Sequence, residues 1–289
     1  MDGRIFLGDE SIVEGEKRIS IISAPLANTL SWRGGTDQGP DAILSASVAL
    51  ETFDDELRVE TVAAGIETLP PLQLDGLTSE QGCETICRAV DRELNRGRLP
   101  VVLGGEHTVS FPAIAACARK HPDLHVLQFD AHLDLRDRYD DTPLSHACVM
   151  HRIAELNIPF TQVGIRSFSQ KEWEMVGERG WKPFYVSSIR SRPDWIAEVC
   201  NSISGPLYIT FDVDCLDPSI MPATGTPEPD GLHWREVTAL LRAVISRNQV
   251  VGLDFVELSP AKDQEHAAFL VAKLLYRSLG YIFYDQLKK

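Results

Sequence analysis

The sequence predicts an α/β chain built on a mostly parallel sheet with helices on both faces. Three observations carry the prediction. Short apolar runs rich in β-branched residues recur along the chain, they alternate with longer amphipathic segments, and each run ends in glycine, an acid or another polar residue. Continuous apolar runs, rather than strict alternation, are what a sheet buried on both faces demands. The repeated strand and helix order is that of a doubly wound layer structure.

RISIIS (18–23) is the first strand. Gly39-Pro40-Asp41 then opens a helix, because proline suits the first turn, where its missing N–H is not needed. Thr78 to Asn95 is the next helix, with Thr78 or Ser79 as N-cap, Ile86, Val90 and Leu94 at helical spacing, and Gly97 just past its end. LPVVLGG (99–105), LHVLQFD (124–130) and FTQVGIR (160–166) follow as strands. Ser191-Arg192-Pro193-Asp194 starts a further helix with proline in its first turn. PLYITFDVD (206–214) and VVGLDFVE (250–257) complete the strands, and AAFLVAKLLYRSLGYIF (267–283) is an apolar terminal helix suited to the core. No low-complexity stretch, repeat or linker divides the chain, so residues 1–289 are expected to form a single domain.

Composition excludes several functions. With 28 Lys plus Arg against 42 Asp plus Glu, the formal charge of -14 repels phosphate backbones and anionic lipid. The N-terminal MDGRIFLGDESIVEGEKR lacks the pattern of a signal peptide, and no apolar run approaches the roughly 20 residues that cross a bilayer. A soluble, cytoplasmic protein that binds neither nucleic acid nor membrane is expected. The six cysteines, Cys83, Cys87, Cys117, Cys148, Cys200 and Cys215, have no C-x-x-C spacing and read as small hydrophobes of the interior.

In open α/β sheets, ligands bind beyond the carboxyl ends of the strands. Here those ends carry Gly-Gly-Glu-His107, Asp130-Ala-His132-Leu-Asp134, Asp212-Val-Asp214 and Glu257. Imidazole nitrogen with carboxylate oxygen suits Mn, Zn, Fe, Co or Ni, and four carboxylates can hold two divalent ions. If the chain stays extended, alternate residues share a face, so Asp130, His132 and Asp134 converge, as do Asp212 and Asp214. The competing reading makes each aspartate a helix cap. It accounts poorly for all six residues together, since clustered like charges repel without a cation. Gly104 and Gly105 serve either a tight turn or close approach of backbone to a metal.

GGEHTVS (104–110), FDAHLDLRD (129–137), SHACVMHR (145–152), FDVDCLDPS (211–219), TGTPEPDGL (224–232) and VELSPAKD (256–263), together with the early SWRGGTDQGPDAI, resemble the ureohydrolase family of arginase and agmatinase. The resemblance implies an arginase-like three-layer α/β/α fold, a homotrimer or homohexamer, and two Mn2+ ions, with Co, Zn or Ni also compatible with the ligand types. It assigns His107, Asp130, Asp134 and Asp212 to one ion and Asp130, His132, Asp212 and Asp214 to the other. Asp130 and Asp212 then bridge, holding the ions about 3.5–4 Å apart with a water between them. A bridging hydroxide is expected to attack the guanidinium carbon, with Asp134 as its hydrogen-bond acceptor. Glu257 matches the glutamate that holds the guanidinium, and His146 matches a histidine that binds substrate or shuttles a proton to the departing amine.

Among ureohydrolases the chain looks most like agmatinase. DLRDRYDDTPLSHACVMHRI is similar to agmatinases and lacks the asparagine-bearing segment by which arginases grip the amino acid. Its acids Asp137, Asp140 and Asp141 suit a cationic guanidino substrate without a carboxylate. The expected reaction gives putrescine and urea, a step of polyamine biosynthesis. Alternatives are guanidinobutyrate, arginine, guanidine or formimidoylglutamate, the acidic ones anchored by Arg136, Arg138 or Arg166, and a catalytically silent metal-binding homologue. Glu106 stands where arginases commonly have aspartate, and His151 where an arginine is common. Trp32 either walls the substrate entrance or packs. His121, His125, His151, His233 and His266 are read as ordinary surface or core residues.

Overall fold

In the computed structural model, which describes residues 4–13 and 15–288, eight strands form one sheet. They are β1 (Ile19–Ala24), β2 (Ile66–Thr68), β3 (Leu99–Gly104), β4 (His125–Phe129), β5 (Phe160–Ile165), β6 (Phe184–Tyr185), β7 (Leu207–Asp212) and β8 (Val250–Val256). Their spatial order is β2-β1-β3-β8-β7-β4-β5-β6, and every pair is parallel. The six predicted runs are the six longer strands. The two edge strands, β2 and β6, have three and two residues, too few for a periodic signal.

Neighbouring residues of one strand enter opposite cores, as their alternating directions require. Ile21, Val101, Phe129, Phe211 and Phe255 face the layer of α1 (Gly39–Ser47), α7 (Trp195–Ser202), α8 (Trp234–Ile245) and α9 (Glu265–Leu287). Ile22, Val102, Val126, Tyr208 and Val251 face α2 (Ser79–Asn95), α3 (Ser110–Lys120), α4 (Val149–Glu155) and α5 (Gln170–Arg179). A single turn, α6 (Val186–Ile189), follows β6. The fold is therefore three-layered, and α9 covers the sheet as its composition predicts, burying Val271, Leu274, Leu275 and Leu279. No helix among the described residues is long and apolar enough to cross a membrane.

Local signals set the helix ends. Thr78 and Gln81 form a reciprocal capping box at the start of α2, and Gly97, at φ 74°, takes the left-handed conformation just beyond it. Pro40 lies in the first turn of α1. Pro193 does not begin a helix: α7 starts at Trp195, and Pro193 occupies the second position of a turn closed by Trp195 N to Arg192 O at 3.3 Å. That turn position favours proline for the same fixed φ.

Candidate metal and substrate site

β3, β8, β7 and β4 are consecutive in the sheet, so their carboxyl ends open side by side on one edge. His107 follows β3, Glu257 follows β8, Asp212 ends β7, and Asp130 follows β4. His107 Nδ1 lies 3.1 Å from Asp130 Oδ2, 3.0 Å from Asp134 Oδ2 and 3.3 Å from Asp212 Oδ2. His132 Nδ1 lies 3.4 Å from Asp130 Oδ1 and 3.0 Å from Asp214 Oδ2. Two candidate metal clusters result, His107–Asp130–Asp212 and Asp130–His132–Asp214, with Asp130 in both. All six predicted ligands are thus brought together. Separations near 3 Å are those of donor atoms arranged about one ion with bonds of about 2.1 Å.

The chemistry of these donors fits a cation. His107 Nδ1 is buried without a hydrogen-bond partner. Its Nε2 lies 2.9 Å from Thr210 Oγ1, which donates to Asp254 Oδ1 at 2.8 Å. With Nε2–H donated to Thr210, Nδ1 is a lone pair aimed at three carboxylate oxygens, the tautomer that a metal ligand needs. Burial, reinforced by the charge of Asp130, pushes the Asp134 carboxyl up to about 7, and burial with Asp214 and Asp130 beside it holds Asp212 well above the usual range. A divalent ion relieves that repulsion.

Convergence does not come from extended chain. β4 ends at Phe129, Asp134 adopts a left-handed backbone at φ 52°, and Asp214 sits in a 3-10 turn over Val213–Cys215. Turns aim these side chains, and such outliers gather where function constrains the backbone. Capping leaves a donor atom free for the cluster: Asp212 Oδ1 accepts Asp214 N at 2.8 Å while Oδ2 faces His107. Both glycines are required by close approach within the protein: a Cβ on Gly104 would stand 2.3 Å from Val109 Cγ2, where β3 turns into the following helix, in keeping with the tight-turn expectation. A Cβ on Gly105 would stand 2.1 Å from Leu26 O, so glycine is needed where the chain leaving β1 crosses β3.

Above the clusters opens a cavity of about 530 Å3 that contains His146, Glu257 and Trp32. Its size is that of a small-molecule site. Glu257 turns out of β8 at φ 65° and its Oε1 accepts His107 N at 2.6 Å. Burial, partly offset by that bond, pushes its carboxyl up to about 8. His146 Nδ1 lies 2.8 Å from Thr29 Oγ1 and Nε2 lies 2.8 Å from Ser31 Oγ, with Tyr139 edge-on at 5.3 Å. Burial drives its pKa down to about 4, so the ring is neutral. Trp32, 63 % exposed, walls the cavity beneath the Arg33 guanidinium 4.2 Å from its ring.

The charged loop behaves differently from its composition. Only Arg136 and Tyr139 of it line the cavity; Asp137 pairs with Arg152 at 2.7 Å, and Asp140 and Asp141 form a left-handed turn. The carboxylates on the cavity wall besides the six predicted ligands and Glu257 are Asp37, Asp75 and Glu172. Arg166 is no anion anchor, because its guanidinium donates to the carbonyls of Gly164, Asp214, Cys215, Leu216, Glu228 and Pro229. Arg138 donates to Asp141 O and lies outside the cavity, while Arg136 stands 3.8 Å from Glu172.

Cys148 and Cys215 are buried thiols pushed up by burial, Cys148 to about 11, and offer no nucleophile. Of the remaining histidines, His125 bonds Thr161 Oγ1 at 3.0 Å and His151 bonds Leu135 O at 2.9 Å, away from the cavity. Six polar residues join the site beyond those expected from sequence: Thr29, Ser31 and Tyr139 beside His146, and Gln128, Thr210 and Asp254 behind the clusters. Gln128 donates to Asp130 Oδ2 at 2.6 Å. The last three had a signal: each is a polar residue inside an apolar run whose every position is buried.

The sequence model of the Arginase family matches residues 17–280. The chain is 34% identical to the N(1)-aminopropylagmatine ureohydrolase of Synechocystis sp., covering 98% of this chain and 95% of that protein. It is 32% identical to the agmatinase of Bacillus anthracis over 96% and 95% of the two chains. The crystal structure of agmatine ureohydrolase of Thermoplasma volcanium superposes with a TM-score of 0.89 at 29% identity, covering 99% of this chain and 97% of that one.

Proposed function

Because this chain belongs to the arginase family and is a hydrolase of that family, we propose that it cleaves the guanidino group of agmatine, giving putrescine and urea. One observation carries the reading: the two candidate clusters, Glu257 and His146 meet in a single cavity whose wall adds Asp37, Asp75 and Glu172 against two arginines, Arg33 stacked on Trp32 and Arg136 3.8 Å from Glu172, a balance that suits a cationic guanidine. A guanidinium is protonated at physiological pH and its carbon is a poor electrophile. His107, Asp130, Asp134 and Asp212 would hold one divalent ion and Asp130, His132, Asp212 and Asp214 the other, manganese being the reading adopted from the resemblance. When bound, the pair supplies a water acidified toward neutrality as the nucleophile.

The protein's own groups do the rest. Glu257 Oε1 is committed to His107 N, so Oε2 receives the guanidinium N–H through a charge-assisted bond. Asp134 accepts the hydrogen bond of the attacking water. His146, neutral and facing the cavity, relays a proton released by the attacking water: its unprotonated ring nitrogen takes that proton up and passes it to the alkylamine nitrogen as the C–N bond breaks. Net, one water is consumed, and one urea and one amine are released.

A second reading, N(1)-aminopropylagmatine as substrate, is favoured by the relatives of that name and by Asp37 and Asp75, exposed carboxylates of the cavity able to meet an additional ammonium. The experiment is urea release after manganese loading from agmatine, N(1)-aminopropylagmatine, arginine, guanidinobutyrate and guanidine. Highest kcat/KM with agmatine supports the first reading, and with the aminopropyl compound the second. Preference for a carboxylated substrate overturns both, and no urea from any compound leaves a silent metal-binding homologue.

A further inference from the structure

Glu106, at which the sequence departs from the aspartate common in arginases, belongs to neither cluster, yet it is only 1 % exposed. The exit of β3 fixes its place. Gly105 N donates to Ala24 O at 3.0 Å and Glu106 N to Leu26 O at 2.8 Å, which lays the chain leaving β1 across this glutamate. That chain delivers Thr29, whose N–H, at 2.5 Å, and Oγ1, at 3.0 Å, both donate to Glu106 Oε2. On its other side Thr29 Oγ1 accepts His146 N at 3.2 Å and lies 2.8 Å from His146 Nδ1.

A hydroxyl has one proton to give. Oε2 already accepts the Thr29 N–H and stands as acceptor to the hydroxyl too. With its proton so directed, Thr29 Oγ1 can only accept from the ring, so Nδ1 carries the hydrogen and Nε2 the lone pair. Ser31 Oγ, 2.8 Å from Nε2 and 3.1 Å from Tyr139 OH, is then the donor that occupies Nε2 until substrate arrives.

We infer that Glu106 and Thr29 are positioning residues that lock His146 as its Nδ1–H tautomer, presenting Nε2 to the cavity as a hydrogen-bond acceptor for a nitrogen of the substrate. The inference rests on the role proposed for His146. It gives the glutamate a purpose that aspartate, one methylene shorter, does not serve from the same backbone. It also favours substrates that bring an N–H to this point over those that bring a carboxylate, which Nε2 would repel.

The test is the imidazole nitrogen spectrum of full-length protein labelled with 15N-histidine and loaded with diamagnetic zinc. The His146 signals are identified by their loss in His146→Asn. The expected wild-type pattern is a protonated Nδ1 and an unprotonated Nε2, kept in Thr29→Ser. In Thr29→Val, and likewise in Glu106→Asp, the Nε2–H form becomes a major species and kcat/KM for urea release falls roughly tenfold at unchanged metal content, the worth of one buried hydrogen bond. Recovery in Thr29→Ser separates orientation from folding damage. A wild-type Nε2–H tautomer, or an Nδ1–H tautomer that persists in Thr29→Val, overturns the lock. Full turnover by His146→Asn would instead remove His146 from the proposed reaction while leaving the tautomer result standing.

Discussion

Glu257→Gln isolates the guanidinium clamp. Glutamine has the same shape, and its Oε1 can still accept the His107 N–H that Glu257 now holds at 2.6 Å, so the backbone beside the metal clusters is preserved. What disappears is the charge on Oε2, which faces Gly225. One charge-assisted hydrogen bond contributes about 1.5–3 kcal/mol. At about 1.4 kcal/mol per factor of ten, that is a roughly 10- to 150-fold fall in kcat/KM. A pH signature accompanies it. Burial pushes the Glu257 carboxyl up, and capture of a guanidinium draws on its ionised form, so any rise of wild-type kcat/KM with pH includes this group's contribution. The glutamine variant loses this group's contribution to the rise. Steady-state urea release between pH 6 and 9, with metal content measured in parallel, gives both readouts. Activity within about threefold of wild type, with the pH dependence intact, would refute the clamp.

Three further outcomes are expected. Asp130→Asn removes the residue common to both clusters, so metal content should fall at both positions rather than one. Wild-type Tm should drop on chelation, by roughly 8 °C or more if the ions are held a thousandfold above their Kd, about 4 kcal/mol; an unresponsive Tm or a metal-replete variant contradicts this. His125 tests stability. Burial lowers its pKa from 6.5 to about 4, so the fold favours the neutral ring, and stability present above pH 6.5 is lost as pH falls toward 4. The loss amounts to about 2–3 kcal/mol. In chelated protein, His125→Gln, which keeps a donor for Thr161, should lose that much less stability between pH 7 and 4 in urea titrations, and parallel losses would show that His125 contributes nothing.

The candidate ligand set was legible because strand ends carry it, and the sheet order then makes the four relevant ends neighbours. Pairing order is a tertiary property that no local pattern encodes. The predicted residues do converge, but by another geometry: left-handed Asp134 and the turn at Asp214 bring the side chains together where straight chain was expected. The loop from Arg136 to Asp141 misled for another reason. Composition counts charges but not their partners, and Asp137 is spent on Arg152. Thr29 and Ser31 gave no signal, since a hydroxyl in a loop is unremarkable until the fold lays it against Glu106 and His146.

The central position of β8 has a consequence for biogenesis. It is the last strand in sequence among the described residues, yet it sits between β3 and β7. A ribosome-bound chain that has already made β1 through β7 therefore carries two unpaired central edges, each a template for intermolecular pairing. Only when β8 inserts like a keystone do those edges close, and the same event delivers Glu257 beside His107. Aggregation risk during synthesis and maturation of the cavity thus end in one step.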